Sequence, residues 1–463
     1  MKTELPVVVI GAGPVGLAAA AHLVERGLDP VVLEAADGPG AAVASWGHVR
    51  LFSPWRFCVD AAARRLLAPT GWQAPDDDAL PTGADLVRDY VAPLAATPEL
   101  RDRIRYGSRV IAVGRDGADR TRSLGRDALP YRVRTVDGDG VVNDVLARAV
   151  IDASGTWAHP NPLGSGGLPA VGEDAAAEFL TGPLPDVLGA DRERFAGRHT
   201  LVVGMGHSAA NTLLALLTLA DDEPGTRVTW AIRGASPRRL YGGGATDELP
   251  ARGLLGTRLR EAVEAGRFEL VTRTTVERLV PTSGTTSGTT SGTVRVLGTG
   301  RRDGVDGPLD LEVSAVVNAT GFRPDLEMLR EVRLALDTIV EAPAELAPLI
   351  DPNLHSCGTV PPHGESVLAH PDAGFYLAGM KSYGRAPTFL LATGYEQVRS
   401  IAAALAGDRE AADAVQLTLP ETGVCSSDLA LAADGADASS AGGCCGTASG
   451  PQILQLTVPS AAR

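Results

Sequence analysis

Lysine, cysteine and long apolar segments are scarce in this chain of 463 residues, and each shortage narrows the class of protein. Lysine occurs only at Lys2 and Lys381, and the formal net charge is −14, which argues against a basic surface for nucleic acid or an anionic membrane. Five cysteines are too few for a disulfide framework in a chain of this length, so we expect free thiols. The longest apolar runs fall well short of the roughly 20 residues that span a bilayer.

The chain begins with MKTEL and passes directly into PVVVIGAG, without the pattern of a secretory signal. A chain of this length exceeds what one hydrophobic core organises, so we expect two or more domains. Together these features predict a multidomain cytoplasmic protein.

The first forty residues have the pattern of a β-α-β unit around a glycine turn. Gly11, Gly13 and Gly16 stand in G-x-G-x-x-G order between a buried apolar strand and a helix. The first glycine permits the tight turn, the second lets a pyrophosphate approach the backbone, and the third lets helix and strand pack closely. Glu34, at the end of the second strand, is placed to accept a ribose hydroxyl, which favours an adenine dinucleotide without a 2′-phosphate. The residues assigned to this cofactor are Gly11, Ala12, Gly13, Pro14, Gly16 and Glu34.

A second unit of the same design begins about two hundred residues later, with GMGHSA in the G-x-G-x-x-A variant. Its second strand ends at Arg233, which suits the 2′-phosphate of NADPH, with Arg238 and Arg239 close behind. The alternative for Arg233 is an ordinary solvated arginine, and His207 either touches the cofactor or caps the helix. The residues assigned to this second cofactor are Gly204, Gly206, His207, Ser208, Ala209, Arg233 and Arg238.

Two dinucleotide sites in one chain predict FAD and NADPH working together, with hydride transfer from nicotinamide to flavin. The expected fold class is α/β, with two Rossmann-like dinucleotide-binding domains and the NADPH domain inserted in the FAD domain. The predicted FAD domain comprises 1–160 and 311–407, and a crossover segment at 161–194 leads into the NADPH domain at 195–310. The repeats TSGTTSGTTSGT at 282–293 indicate a flexible hairpin tip, and 408–463 reads as a flexible tail.

These units, with ASGTWAHPNPLG at 153–164 and NATGFRPD at 318–325, resemble the two-dinucleotide-binding flavoproteins over roughly residues 5–405. Within that superfamily the chain is most similar to the flavin-containing monooxygenases. The resemblance implies that Trp46, at the end of GAAVASW, and Gly379 with Met380, in the closing motif FYLAGMKSYGR, lie beside the flavin. WGHVRLFSPW, GHSAAN and KSYGRAPTFLLATGYEQVRS look like a narrower bacterial group, the flavin monooxygenases associated with arsenic resistance.

The chain departs from the families it resembles at three points. No C-x-x-C or C-x4-C pair occurs, and Leu201 stands where the monooxygenase signature F-x-G-x-x-x-H has its histidine. In the closing motif, Met380 replaces the usual acid and Lys381 follows it. A lysine there would stabilise an anionic reduced flavin as a catalytic residue, or it is a solvated loop residue.

The last three cysteines, Cys425, Cys444 and Cys445, lie in the predicted tail, where packing cannot explain them. Thiolates suit a soft metal or trivalent arsenic, and a flexible tail can bring three of them around one ion. The alternative is a tail with chance cysteines. Cys58 is expected to serve packing, and Cys357, near His355 and His363, is either a metal ligand or a loop residue.

The sequence therefore predicts an NADPH-dependent flavin monooxygenase that transfers oxygen from a flavin C4a-peroxide to a soft nucleophile such as sulfur, nitrogen or trivalent arsenic. One alternative is a reductase that passes the hydride to the tail thiols or to a metal or metalloid they hold. Another is a flavin-bearing redox or metalloid sensor. The expected partners are a small-molecule substrate and a metalloid ion, and the oligomeric state is open.

Overall fold

The computed structural model describes residues 4–241, 249–282, 285–286, 289–290, 292–352, 360–387 and 389–417, without the side chains of residues 239, 285–286 and 289–290. All of them lie in one of two units, Met1–Ser427, and the other unit, Asp428–Arg463, lies outside the described residues. None of the helices in the described ranges is long and apolar enough to cross a membrane.

Strands and helices alternate through most of the chain. The strands are β1 (Val7–Ile10), β2 (Pro30–Leu33), β3 (Ile104–Arg105), β4 (Arg109–Arg115), β5 (Tyr131–Val136), β6 (Val142–Ala147), β7 (Ala149–Asp152), β8 (Leu180–Thr181), β9 (His199–Val203), β10 (Arg227–Ala231), β11 (Glu269–Thr282), β12 (Thr285–Thr286), β13 (Thr289–Thr290), β14 (Thr293–Arg302), β15 (Val305–Val313), β16 (Ala315–Asn318) and β17 (Phe375–Leu377). The α-helices are α1 (Pro14–Glu25), α2 (Ala41–Ala44), α3 (Ala61–Leu67), α4 (Gly83–Leu86), α5 (Ala92–Ala95), α6 (Arg192–Phe195), α7 (His207–Asp222), α8 (Pro250–Glu264), α9 (Ala347–Ile350), α10 (Leu391–Leu405) and α11 (Arg409–Asp413).

The first sheet is parallel, in the order β17-β7-β1-β2-β3. The chain builds outward from β1 through β2 to β3, and later returns to the other side of β1 with β7 and β17. All four residues of β1 are buried, as expected for a strand covered on both faces. Helices α1 and α10 pack on one face, and the antiparallel sheet β4-β5-β6 packs on the other. The direction of winding therefore reverses between β1 and β7, which is where open α/β sheets bind their ligands.

The second sheet has the order β15-β14-β11-β10-β9-β16-β8, and its strands from β11 to β8 are parallel. Its winding reverses between β9 and β16. Strands β11 and β14, on either side of the TSGT repeats, pair antiparallel as a hairpin. This sheet lies in the chain between β7 and β17 of the first one, so the predicted α/β class with one dinucleotide fold inserted in the other is confirmed.

The predicted start of the returning FAD segment, at 311, needs a correction. Strand β16 pairs in parallel with β9, from Ala315 opposite Thr200 to Asn318 opposite Val203. This pairing places β16 in the second sheet, next to β9. The return to the first fold therefore comes after Asn318.

Candidate dinucleotide-binding sites

The first glycine turn lies at the carboxyl end of β1, beside the reversal point of its sheet. Gly11 has φ +100°, and a Cβ there would lie 2.9 Å from the carbonyl oxygen of Ala153. A Cβ on Gly16 would lie 1.9 Å from the carbonyl oxygen of Gly11, so helix α1 can approach the turn this closely only with glycine. A Cβ on Gly13, by contrast, would meet open space.

Gly13 is the N-cap of α1 and, within the described part of the chain, no side chain caps this helix. The first N–H groups of a helix need partners, and its N-terminus favours an anion. Open space in front of uncapped N–H groups fits the pyrophosphate of a dinucleotide. Glu34 orders the same turn, because its Oε2 accepts from the N–H of Ala12 at 2.7 Å while Oε1 accepts from Ala36 at 2.9 Å.

The closing motif lies against the first turn of helix α1. Gly379 has φ +68°, and a Cβ there would lie 3.3 Å from Cγ1 of Val15, in the first turn of α1. Met380, the next residue, is half-buried. The structure thus brings the closing motif to the start of α1, although the two are far apart in sequence.

The second glycine turn repeats this geometry. Gly204 has φ +136°, and a Cβ there would lie 2.0 Å from the carbonyl oxygen of Ala319. Gly206 is the N-cap of α7, a Cβ on it would meet open space, and no described side chain caps the helix. Ala209 is fully buried in the helix, with half-buried Ser208 before it. This turn has the same open, uncapped helix N-terminus as the first.

Both arginines assigned to the second cofactor, Arg233 and Arg238, are exposed. Arg233 stands two residues after the end of β10, and Arg238 opens a short 3-10 helix further on. The ring of His207 packs edge-on against Phe52 at 5.3 Å, so a segment of the first fold reaches the second glycine turn. The side chain of Arg239 lies outside the described residues.

Both folds carry a second turn, at the start of the segments ASGTWAHPNPLG and NATGFRPD, and its side-chain hydrogen bonds were not predicted from the sequence. It reads Asp152-Ala153-Ser154-Gly155 after β7 and Asn318-Ala319-Thr320-Gly321 after β16. Oδ1 of Asp152 accepts from the backbone N–H and the hydroxyl of Ser154, at 3.1 and 2.6 Å. Oδ1 of Asn318 accepts in the same way from Thr320, at 3.2 and 2.7 Å. The repeated sequence DASG and NATG, each after an apolar strand, was the signal that could have revealed them.

Lys381 is fully buried, so the alternative of a solvated loop residue is wrong. Its Nζ donates to Oδ2 of Asp152 at 2.6 Å and to the hydroxyl of Ser154 at 3.1 Å. The side chain of Asp152 is fully buried as well. The lysine of the closing motif is therefore paired with an acid that sequence reasoning missed.

The two crossover segments pair with each other. The amide of Asn161 donates to the carbonyl of Thr320, and the amide of Asn318 donates to the carbonyl of Asn161 at 2.8 Å. Three half-buried rings follow one another here, with centroids 6.4 Å apart between Trp46 and Trp157 and 5.1 Å apart between Trp157 and Phe322. Trp46 thus belongs to an aromatic row where the two folds meet.

A buried polar network supports Gly379. Its N–H donates to Oε1 of Gln397 at 2.8 Å, and the amide nitrogen of Gln397 lies 2.9 Å from Nε2 of His363. Nδ1 of His363 faces the carbonyl of Pro361, so Nδ1 carries the proton and Nε2 accepts from the amide. Burial lowers the pKa of His363, which favours this neutral form.

Of the five cysteines, one lies within the described residues and four lie outside them. Cys58 is fully buried, and desolvation raises the pKa of its thiol to about 12, as the expected packing role requires. Cys357, with His355, and the tail residues Cys425, Cys444 and Cys445 lie outside the described residues. In the ranges that the structure covers, no three His, Cys, Asp or Glu side chains form a metal-binding group.

Comparison with known proteins agrees with this geometry. Residues 6–235 match the family described as FAD dependent oxidoreductase. The indole-3-pyruvate monooxygenase YUCCA1 of Oryza sativa subsp. japonica is 28% identical over 245 residues, which are 51% of this chain and 50% of that protein. The chain thus spans about half the length of this curated relative.

Solved structures share the fold over most of the chain. The bacillithiol disulfide reductase Bdr of Bacillus cereus covers 88% of this chain and 99% of its own, with a TM-score of 0.60 and 19% identity. The cadaverine monooxygenase DfoA of Erwinia amylovora, bound to FAD, covers 91% and 98%, with a TM-score of 0.60 and 16% identity. At these identities the likeness shows the fold alone. The chain has the fold of these solved structures, and its match to the FAD dependent oxidoreductase family covers just under half of the chain.

Proposed function

We propose that the protein is an NADPH-dependent flavin monooxygenase, with FAD at the first glycine turn and NADPH at the second. The observation that supports this most is the repetition of one open, uncapped helix N-terminus at both reversal points. Each is suited to a pyrophosphate, and the contact between Phe52 and His207 joins the two folds at the second turn. An electron donor and a flavin held this way can react within one chain.

The proposed residue roles follow the geometry. The backbone N–H groups of Gly13 and of the first helical turn after Pro14, which itself has no N–H, would hold the FAD pyrophosphate, and Glu34 would accept from the ribose while it orders the turn. FAD, when bound, supplies two-electron transfer between the nicotinamide and dioxygen. The aromatic row of Trp46, Trp157 and Phe322 would keep water from the reacting centre.

Arg233 is the residue proposed to select NADPH over NADH. It is exposed just past the end of β10, the position that faces the adenosine ribose in this fold. A guanidinium there can bind a phosphate through two parallel hydrogen bonds. The exposed Arg238 would add to the positive potential.

The thiols of the described core argue against one kind of reductase, namely a dithiol reductase with its own redox pair beside the flavin. A dithiol reductase needs a redox cysteine pair near its flavin, and the one cysteine in the described ranges, Cys58, is a buried thiol of raised pKa. The proposed substrate is a soft nucleophile with a sulfur, nitrogen or trivalent arsenic atom. The link to arsenic resistance belongs to this proposal and is supported by the sequence segments alone.

Oxygen incorporation tests the proposal most directly. The purified protein is mixed with NADPH without oxygen to follow flavin bleaching, and then exposed to isotopically labelled dioxygen with arsenite, a dialkyl sulfide or an amine. We expect one labelled oxygen atom in the product and NADPH consumption that matches it.

The reductase and sensor alternatives give other results in the same assay. Sustained anaerobic NADPH oxidation with a thiol-bound metal or metalloid ion as the electron acceptor would replace the monooxygenase with a reductase, if it stops in the variant Cys444→Ser/Cys445→Ser but continues in the matched control Cys58→Ser. Single reduction of the flavin without turnover on any substrate would favour a sensor.

A further inference from the structure

Asp152 lies between the two motifs of the proposed FAD site. It is the last residue of β7 and stands in register with Ile10 of β1 on one side and Leu377 of β17 on the other. Gly11 follows Ile10 directly, and Ala378, two residues after Tyr376, donates its N–H to the carbonyl of Asp152 at 2.9 Å. The carboxylate therefore lies between the glycine turn and the closing motif, at the end of the sheet that would receive an anionic cofactor.

An unpaired carboxylate at this place would oppose the cofactor in two ways. It would be buried without a counter-charge, and it would repel the negative pyrophosphate at the neighbouring turn. Lys381 removes both problems, because its Nζ lies 2.6 Å from Oδ2 of Asp152 and both side chains are fully buried. The lysine reaches this position from the closing motif, just after Gly379 and Met380.

The second fold shows that the turn itself needs no charge. There Asn318 makes the same two bonds to Thr320 that Asp152 makes to Ser154, and its amide donates to the carbonyl of Asn161. The acid and its lysine are therefore an addition in the first fold to a turn that works with a neutral amide in the second. A neutral side chain is enough for the shape of this turn. The charged pair in the first fold therefore has a further role.

We propose that Lys381 is a charge-balancing and positioning residue for FAD: it neutralises Asp152 and ties the closing motif to the strand end beside the glycine turn. This role differs from direct stabilisation of a reduced flavin, because the positive charge of Lys381 is already matched by Asp152. The inference rests on FAD binding at the first turn and not on the oxygenase reaction.

The two single substitutions that break the pair leave opposite charges, and this difference tests the proposal. Lys381→Met leaves the carboxylate, whereas Asp152→Asn leaves the ammonium and keeps the Oδ1 that Ser154 needs. The dissociation constant for FAD is measured on protein stripped of flavin and refilled, by the quenching of flavin fluorescence. We expect Lys381→Met to bind FAD about tenfold more weakly than Asp152→Asn.

The double variant Asp152→Asn/Lys381→Met recreates the neutral turn of the second fold. We expect it to bind FAD within about threefold of the unchanged protein, since removing both partners of a buried pair costs far less than removing one. Equal losses in the two single variants, or a greater loss in Asp152→Asn, would overturn the charge-balancing role and leave a purely structural pair.

If Lys381→Met does not yield folded protein, Asp152→Asn and the double variant decide the question. The proposal requires Asp152→Asn to bind FAD at least as tightly as the double variant, because its net positive charge attracts the pyrophosphate. If the pair is purely structural, the double variant binds FAD more tightly than Asp152→Asn, because the single substitution leaves one buried charge without its partner. Unfolding of each flavin-free variant is followed in parallel, so that a loss of stability is not read as a loss of FAD affinity.

Failure of this proposal is distinct from failure of the proposed function. These measurements involve neither NADPH nor oxygen. A chain without monooxygenase activity can still show the expected order of FAD affinities, and an active monooxygenase can still show the order that overturns it.

Discussion

The two dinucleotide folds of this chain share a backbone plan and differ in the side chains placed on it. In both, the first glycine of the turn lies against the carbonyl of the residue that follows a neighbouring strand, Ala153 in one and Ala319 in the other. The third position of the motif is Gly16 in the first fold and Ala209 in the second. The paired turns contain Asp152 and Asn318. The shared plan follows from parallel strand topology, whereas charge and side-chain volume are set separately in each fold.

The largest difference we expect between the folds concerns the third motif position. Gly16→Ala would place a Cβ 1.9 Å from the carbonyl oxygen of Gly11. To relieve this clash, the backbone of the turn or of helix α1 would have to move. We expect a loss of about 3 kcal/mol in the free energy of unfolding, together with loss of bound FAD. Denaturant unfolding and the flavin content of the purified variant measure the two effects.

The matched change in the second fold is Ala209→Gly. Here only a buried methyl group is removed from a helix, so the expected loss is about 1 kcal/mol, with FAD retained. Comparable losses in the two variants would contradict the packing difference between the two turns.

Acid should weaken the first fold more than the second. Burial lowers the pKa of His370 to about 4, below its ordinary 6.5, and its ring packs against Phe375 of β17. The unfolded chain therefore takes up the proton first as the pH falls. The stability from His370 is complete above about pH 6.5 and is lost toward pH 4, in total about 3 kcal/mol. Denaturant unfolding across this range measures the slope.

The variant His370→Asn removes the titrating group and keeps an acceptor for the N–H of Ala335. We expect it to flatten the pH dependence over that window. His199→Asn in the second fold is the matched control with a smaller effect, because His199 is only half-buried, although burial also lowers its pKa. An unchanged slope in His370→Asn would show that other groups dominate.

Asn318→Asp would break the distinction between the two paired turns. The new carboxylate cannot donate to the carbonyl of Asn161, which the Asn318 amide contacts at 2.8 Å, and the one lysine in the described ranges, Lys381, pairs with Asp152 instead. We expect a loss of about 2 kcal/mol in the free energy of unfolding at neutral pH. Thr320→Ser, which keeps the hydroxyl, is the control expected to lose much less.

The smallest expected effect concerns Arg233, which stands two residues after β10, whereas Glu34 directly follows β2 in the first fold. Arg233→Ala should reduce the preference for NADPH over NADH by about tenfold, a change of about 1.4 kcal/mol, while leaving FAD bound. The ratio of the two flavin reduction rates measures it. Arg227→Ala, at the opposite end of β10, is the matched exposed control, and an equal effect there would contradict the assigned role.

Elements whose signals are local could be predicted from the sequence. Glycine spacing, the apolar strand before it and the helix after it predict both dinucleotide turns, because each interaction lies within a few dozen residues. The α/β class and the insertion of one fold in the other followed from finding that unit twice.

Tertiary structure alone decided which distant side chains meet. The pairing of Lys381 with Asp152 spans more than two hundred residues, and no local pattern indicates that a lysine after a glycine turn reaches the end of β7. The same holds for β16, whose place beside β9 depends on parallel pairing between segments far apart in the chain. Local turn chemistry is encoded in adjacent residues, whereas burial and charge pairing depend on how the strands are ordered in the sheets.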